Sequence, residues 1–114
     1  PLSGANLNIV EGVSAVAAPG HTPGHVGVHV ASASDQLLYI TDAVHHFAIV
    51  MPNPGWYVGF DTDRDGAVAA RRALLDRAAS EKLAVSGAHL PFPAVGHVRK
   101  RGEGFEWVPA VWAW

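Results

Sequence analysis

The sequence predicts a mixed fold of the α/β class, in an α+β or layered arrangement, with mostly antiparallel strands and one main helix at about residues 63–80. Three observations predict this class: three strand-like runs lie between residues 8 and 41, an alanine-rich segment of helical periodicity follows at 63–80, and further strand-like runs come after it. Strands on both sides of one helix are typical of a sheet with a helical layer. The length of 114 residues predicts a single domain or part of one.

The strands are predicted from β-branched runs that end in turn residues. The first run ends at Pro19-Gly20, and Ser32-Ala33-Ser34-Asp35 has the length and composition of a hairpin loop. Near the end of the chain, a Gly-Glu-Gly sequence at residues 102–104 joins two runs and predicts a closing hairpin. The predicted strands cover residues 8–18, 26–31, 36–41, 83–86, 97–101 and 105–108.

The main helix is predicted between Asp63 and Ser80 from positions that recur at three- and four-residue spacing, with alanine between them. These positions are Val68, Arg71, Arg72, Leu74, Leu75, Ala78 and Ala79. Thr62 or Asp63 can cap its first turn, and Asp65 adds negative charge at the positive end of the helix dipole. The preceding residues 47–60 combine prolines and glycine with aromatic residues, which predicts an irregular loop.

The composition excludes several classes of function. Eight Lys and Arg against ten Asp and Glu give a net charge of −2, which provides no electrostatic footprint for nucleic acid. The absence of cysteine excludes disulfides, thiolate catalysis and Cys-based zinc sites, so any metal must be held by His and carboxylate. No run approaches the length of about 18 apolar residues that a membrane-spanning helix needs. We therefore expect a soluble protein without a membrane partner, with the cytoplasm as the favoured compartment.

The seven histidines point to imidazole chemistry. His21, Asp42 and His89 each follow a predicted strand, where rigid scaffolds present functional groups. Neutral imidazole and carboxylate are the ligands that zinc or a similar divalent ion takes when thiolates are absent. The residue types alone leave two interpretations open. One is a metal site, and the other is an exposed histidine turn, a loop-capping carboxylate and a core histidine bonded to backbone.

Three motifs carry a resemblance to a known family. They read AAPGHTPGHVGVHV at residues 17–30, LLYITDAVHH at 37–46 and SGAHLPFPAVGHV at 86–98. In this order they resemble the C-terminal half of a metallo-β-lactamase αββα sandwich, in particular the methyl parathion hydrolase-like and lactonase-like branch. The resemblance implies a metal-dependent hydrolase that uses a metal-activated water on an ester, lactone, phosphotriester or β-lactam-like bond of a small-molecule substrate.

The resemblance also implies roles for individual residues. His21 matches a ligand of the first of two zinc ions, Asp42 the catalytic carboxylate that bridges both ions, and His89 a ligand of the second. Other divalent metals would also suit these ligands. His25 matches a histidine that supports the site rather than binding metal. The HxHxDH motif that supplies the remaining ligands in the family is absent, so we expect the chain alone to be inactive.

Further residues are candidates for the substrate pocket. His46 is preferred to His45 because members of the family often carry a histidine at that position. The alternative for both is an ordinary, partly exposed loop histidine. Loop aromatics suit an apolar substrate wall, although a small domain also needs aromatics for packing. These aromatics are Trp56, Tyr57, Phe60 and Phe92.

Two features predict that the chain is part of something larger. It begins with Pro1 and its single methionine is Met51, so we expect a longer primary product. Half of a layered sandwich leaves one sheet face uncovered, so we also expect a homo-oligomer or association with the missing N-terminal half. The alternative function is a non-catalytic metal-binding or packing module that associates with a partner chain.

Overall fold

In the computed structural model of the chain, residues 7–111 are described and form one seven-stranded mixed sheet with two helices. The strands lie in the sheet in chain order, and five of the six pairings are antiparallel. The predicted class, mostly antiparallel with one main helix, is therefore confirmed. The elements are β1 (Leu7–Val10), β2 (Val13–Ala17), β3 (Val26–Ser32), β4 (Asp35–Tyr39), α1 (Phe47–Val50), α2 (Arg64–Ser80), β5 (Ala84–Ser86), β6 (Val95–Arg101) and β7 (Gly104–Pro109).

The predicted single strand over residues 8–18 is wrong, because the structure divides it into the hairpin of β1 and β2. The turn is made by Glu11 and Gly12, and Gly12 has a φ of +76°, a backbone conformation that glycine adopts without steric cost. Glu11 and Gly12 interrupt the apolar residues at only two positions, which is also compatible with one continuous strand. The two hairpins predicted further along the chain are confirmed as β3–β4 and β6–β7.

The predicted irregular loop over residues 47–60 contains the short helix α1, which sequence periodicity could not detect because the helix has only four residues. Met51 caps its C-terminal end, and Pro52 follows. Met51 still has helical backbone, but Pro52 has no N–H to donate to the carbonyl four residues before it, so the helix cannot continue past this point.

The predicted main helix is confirmed as α2, which begins one residue after the predicted start and ends at the predicted residue. Its N-cap is Asp63, whose carboxylate accepts a hydrogen bond from the backbone N–H of Gly66 at 3.0 Å. The apolar stripe of α2 includes Leu75 and Ala78, which are fully buried against Leu38 and Val85 of the sheet. Neither helix within residues 7–111 has the length and apolar character required to cross a membrane.

The opposite face of the sheet carries no helix in the described part of the chain. Val30 of β3 pairs with Leu37 of β4, and Val108 of β7 pairs with His97 of β6, so each pair shares this face. Val30 and Val108 are each 37% exposed, whereas Leu38, Val85 and Val98 on the α2 side are buried. We call this surface the open face. Its exposure agrees with the fold of half a sandwich.

Replacing Gly20 with alanine should lower the free energy of unfolding by about 2 to 6 kcal/mol, from backbone strain together with an overpacked contact. Gly20 has a φ of +143°, and an added Cβ would lie 2.0 Å from the backbone nitrogen of Ala67 on α2. The matched control is Gly24→Ala in the same turn, where an added Cβ meets no atom within 4 Å. Urea denaturation measures both changes. Equal effects would contradict the packing of this turn against α2.

Candidate functional site

The sheet topology brings three loops to one edge. Strands β2 and β4 are both antiparallel to β3, so they run in the same direction, and β5 is parallel to β4. The C-terminal ends of these strands therefore share an edge of the sheet. His21 follows β2, Asp42 follows β4 and His89 follows β5. All three residues predicted as metal ligands consequently lie at this edge.

His21 is held by a buried carboxylate. Its Nδ1–H donates to Oδ1 of Asp61 at 3.0 Å, and the Asp61 side chain is only 1% exposed. The second carboxylate oxygen of Asp61 accepts from the backbone N–H of Val58 at 3.2 Å. Because a carboxylate only accepts, the His21 proton stays on Nδ1 and the Nε2 lone pair is left for another partner.

Arg71 of α2 lies behind Asp61 and is 1% exposed. Its Nε donates to the backbone carbonyl of Ala43 at 2.7 Å, and one terminal nitrogen donates to the carbonyls of Pro54 and Trp56. The other terminal nitrogen lies 4.0 Å from Oδ2 of Asp61. Burial lowers the pKa of the Arg71 guanidinium, and the charge of Asp61 acts in the opposite direction.

His25 connects the loops after β2 and β4 through hydrogen bonds of its ring. Its Nδ1–H donates to the backbone carbonyl of Ala18 at 2.8 Å, and its Nε2 accepts from the backbone N–H of Asp42 at 3.3 Å. The Thr41 hydroxyl lies 2.7 Å from Nε2 and also donates to the carbonyl of Val26. Both ring nitrogens of His25 are thus occupied by contacts within the chain. The supporting role that the resemblance implies for His25 stays a prediction.

Asp42 and His89 are in direct contact, because Nε2–H of His89 donates to Oδ1 of Asp42 at 3.0 Å. His45 joins this pair to His21, with ring centroids 5.1 Å from His89 and 4.9 Å from His21. Nδ1 of His45 is buried and has no hydrogen-bond partner within the described residues. Burial, followed by the neighbouring His21 and His89, lowers the pKa of the His45 imidazole.

The remaining pocket candidates lie further out. His46 is exposed and its ring stacks on Phe47, whereas the neighbouring His45 has its ring among the other histidines. Trp56 and Phe92 are both largely exposed. Phe60 is 69% exposed, and its ring lies 5.2 Å from that of His45. The ring of Phe60, one of the predicted wall residues, therefore contacts the histidine group.

The donor chemistry of this edge suits a divalent cation of the zinc type, with neutral imidazoles, one carboxylate and the unpartnered Nδ1 of His45. Within residues 7–111, however, no three His, Cys, Asp or Glu side chains are arranged so that they could hold a metal ion. The residues fit such an ion as a partial donor set. They do not form a complete coordination shell.

Sequence reasoning did not identify Asp61 or Arg71. The signal for Arg71 is its position on the buried stripe of α2, between Ala67 and Leu74, because an arginine on an apolar helix face requires a buried partner. The signal for Asp61 is weaker, since its contact with His21 spans 40 residues of sequence.

Comparison with known proteins gives one family match and several structural matches. The model of the metallo-beta-lactamase superfamily matches residues 1–103. AidC, a dizinc quorum-quenching lactonase solved in complex with a product, aligns with a TM-score of 0.89 and 34% identity, over 94% of this chain and 36% of AidC. AbOPH, a hydrolase of the beta-lactamase superfamily, aligns with a TM-score of 0.87 and 25% identity, over 93% of this chain and 37% of AbOPH.

A more distant match supports the fold alone. A probable metal-dependent hydrolase from Staphylococcus aureus aligns with a TM-score of 0.66 and 15% identity, over 92% of this chain and 38% of that protein. No curated protein sequence matches the chain. In the two most similar structures described above, the chain spans 36% and 37% of the full length.

The free energy of unfolding of the metal-free protein should rise with pH near neutrality, partly because of His45. Its lowered pKa in the folded state means that the unfolded chain binds more protons at this residue. The stabilising contribution is therefore present above the ordinary pKa of 6.5 and is lost as pH falls below it, until the folded pKa is reached. Urea unfolding between about pH 5 and about pH 8 measures this dependence.

The variant His45→Gln should flatten this pH dependence, because glutamine does not titrate. The matched control is His46→Gln, which changes an exposed neighbour. If His45→Gln retains the slope of the wild type, burial of the His45 imidazole does not control its protonation.

Proposed function

The chain belongs to the metallo-β-lactamase superfamily, and we propose that it is the C-terminal part of a metal-dependent hydrolase whose site includes His21, Asp42 and His89. The observation that carries the proposal is the convergence of these side chains at one sheet edge. His89 lies 3.0 Å from Asp42, and the His45 ring connects His89 to His21. The dizinc character of AidC, at 34% identity, supports the choice of zinc.

We propose that the complete site needs a second part of the protein. Structural and catalytic zinc sites use three or four protein ligands per ion. Residues 7–111 provide no such group, and the HxHxDH motif does not occur in the chain. The chain alone would therefore be inactive, and the N-terminal part of a longer protein would supply the remaining ligands.

A bound pair of divalent ions would supply an activated water near neutral pH and polarise the bond to be cleaved. The chain would contribute neutral nitrogens from His21 and His89 and a negative charge from Asp42. The exposed Phe60 would present an apolar surface to the substrate beside the His45 ring. A lactone is the substrate class that the similarity to AidC favours, with other esters, phosphotriesters and β-lactam-like bonds as alternatives.

His46, Trp56 and Phe92 stay predictions as pocket residues. Each is exposed in this chain, so each is accessible to a substrate or to another part of the protein.

A second candidate function is a non-catalytic module that binds metal weakly or only packs against a partner chain. The incomplete donor set and the open face both favour it. The coding sequence upstream of Pro1 distinguishes the two candidates, because only the hydrolase requires an HxHxDH motif there.

In the protein that contains this chain, His21→Ala, Asp42→Ala and His89→Ala should each reduce bound zinc and hydrolysis of a lactone together. We expect losses greater than the about 10- to 100-fold typical of residues that only support a ligand. Metal analysis of the purified protein and the rate of lactone opening measure the two quantities.

The control for this series is His29→Ala, because the His29 ring bonds to Gln36 on the surface of the sheet, at 2.9 Å. This variant should retain both zinc and activity. Unchanged zinc content in the first three variants would exclude those residues as ligands.

The chain produced on its own should self-associate, because the open face leaves apolar residues in water. Val30→Lys, on the open face, should weaken this association by placing a charge there. Ile49→Lys is the matched control, since Ile49 is also exposed but lies on α1. Sedimentation velocity measures the association. A monomeric wild-type chain with a sharp thermal transition would contradict the half-domain proposal.

A further inference from the structure

We propose that Arg71 is a positioning residue of the metal site, which sets the orientation of the His21 imidazole through Asp61. The inference rests on the proposed function in treating His21 as a ligand. The contacts that carry it lie within the chain and do not require a metal.

Arg71 contacts both of the loops that meet beside His21. Its Nε holds the carbonyl of Ala43, the residue after Asp42, at 2.7 Å. One terminal nitrogen holds the carbonyls of Pro54 and Trp56, in the loop that leads to Asp61. The planar guanidinium directs these donors in fixed directions from a single rigid helix. The spacing between the Asp42 loop and the Asp61 loop therefore depends on Arg71.

A core role alone does not explain this residue. A buried cation is costly unless it is paired and fully hydrogen-bonded, and an apolar side chain of similar volume is often as stable or more stable. Arg71 is 1% exposed on a stripe whose other members are alanine and leucine. An apolar side chain could not place a positive charge 4.0 Å from Oδ2 of Asp61. It also could not donate hydrogen bonds to three backbone carbonyls.

Arg71 and the Val58 N–H both lie on one side of the Asp61 carboxylate, and these contacts fix its plane so that the other oxygen faces His21. Oδ2 of Asp61 lies between the Val58 N–H and the guanidinium, and both of these partners require an acceptor. Oδ1 is then left to accept from Nδ1–H of His21. In this arrangement His21 keeps its proton on Nδ1 and presents the Nε2 lone pair, which is the form of imidazole that binds a metal.

The substitution Asp61→Asn tests this argument at the level of the His21 tautomer. Next to Arg71 and the Val58 N–H, the amide introduced by this substitution must place its oxygen where Oδ2 was. Its NH₂ group then faces His21, whose Nδ1 becomes an acceptor while the proton moves to Nε2. Long-range ¹H–¹⁵N spectra of the imidazoles report the tautomer directly in metal-free protein, at a pH above the histidine pKa values.

In the wild type we expect one His21 tautomer, with the proton on Nδ1. Asp61→Asn should shift it to Nε2, and Arg71→Lys should produce a mixture because lysine lacks the fork that holds both loops. Arg72→Lys is the matched control on the same helix and should resemble the wild type, since Arg72 is exposed. A wild-type proton on Nε2, or an unchanged tautomer in folded Arg71→Lys, would overturn the proposal.

If Arg71→Lys does not fold, the double variant Arg71→Met/Asp61→Asn replaces it, because it leaves no unpaired buried charge. Without the guanidinium, the introduced amide can return its oxygen to His21, so the Nδ1 tautomer should partly reappear. A tautomer identical to that of Asp61→Asn alone would assign the orientation to the Val58 N–H and overturn the role of Arg71.

Two further measurements separate this role from general stabilisation and from the proposed function. A residue important only for stability would lower the melting temperature without changing the tautomer. In the protein that contains this chain, Asp61→Asn should weaken zinc binding by about 10- to 100-fold. If the wild-type protein binds no zinc, the proposed function fails, and the tautomer measurements still decide the role of Arg71.

Discussion

The candidate site depends on one constraint, which is that the buried guanidinium of Arg71 must be satisfied where α2 meets two loops. Loops usually vary and move more than helices, and an edge built from three of them would not hold side chains in fixed positions unaided. Here the carbonyls of Ala43 and of residues 54 and 56 are held by one side chain of the main helix. The free energy of satisfying a buried charge thus fixes the geometry of the edge.

The three loops of the site meet at this edge because the strands before them run in the same direction, although the loops are far apart in sequence. The single parallel pairing, between β4 and β5, requires a long crossover, and α2 lies in that crossover. The same helix covers one face of the sheet, begins beside the His21 turn and carries Arg71. At its start, backbone hydrogen bonds join Asp63 to Gly20 and Thr62 to His21, so the turn is attached to the first residues of the helix. One crossover therefore accounts for the fold, the edge and the position of His21.

Sequence patterns were sufficient for features that depend on local chemistry. The helix over residues 63–80, two hairpins and the positions of His21, Asp42 and His89 after strands follow from periodicity and turn residues, and they agree with the structure. The hairpin at Gly12 was missed because the two-residue interruption at positions 11 and 12 is also compatible with one continuous strand, and the helix α1 was missed because it is too short to show a period. Asp61 and Arg71 act through contacts across 40 and 28 residues of sequence, and no local pattern contains such contacts.

Two features of this chain are incomplete, and they are independent of each other. One is a set of donors at the sheet edge that falls short of a metal coordination shell within residues 7–111. The other is the open face, where valines of β3 and β7 remain exposed on a sheet whose opposite face is well packed. A surface-exposed metal ligand needs no apolar cover, and an apolar sheet face needs no metal. A second layer that adds both strands and histidines would complete the two features together, which is why we infer one missing structural half rather than two unrelated partners.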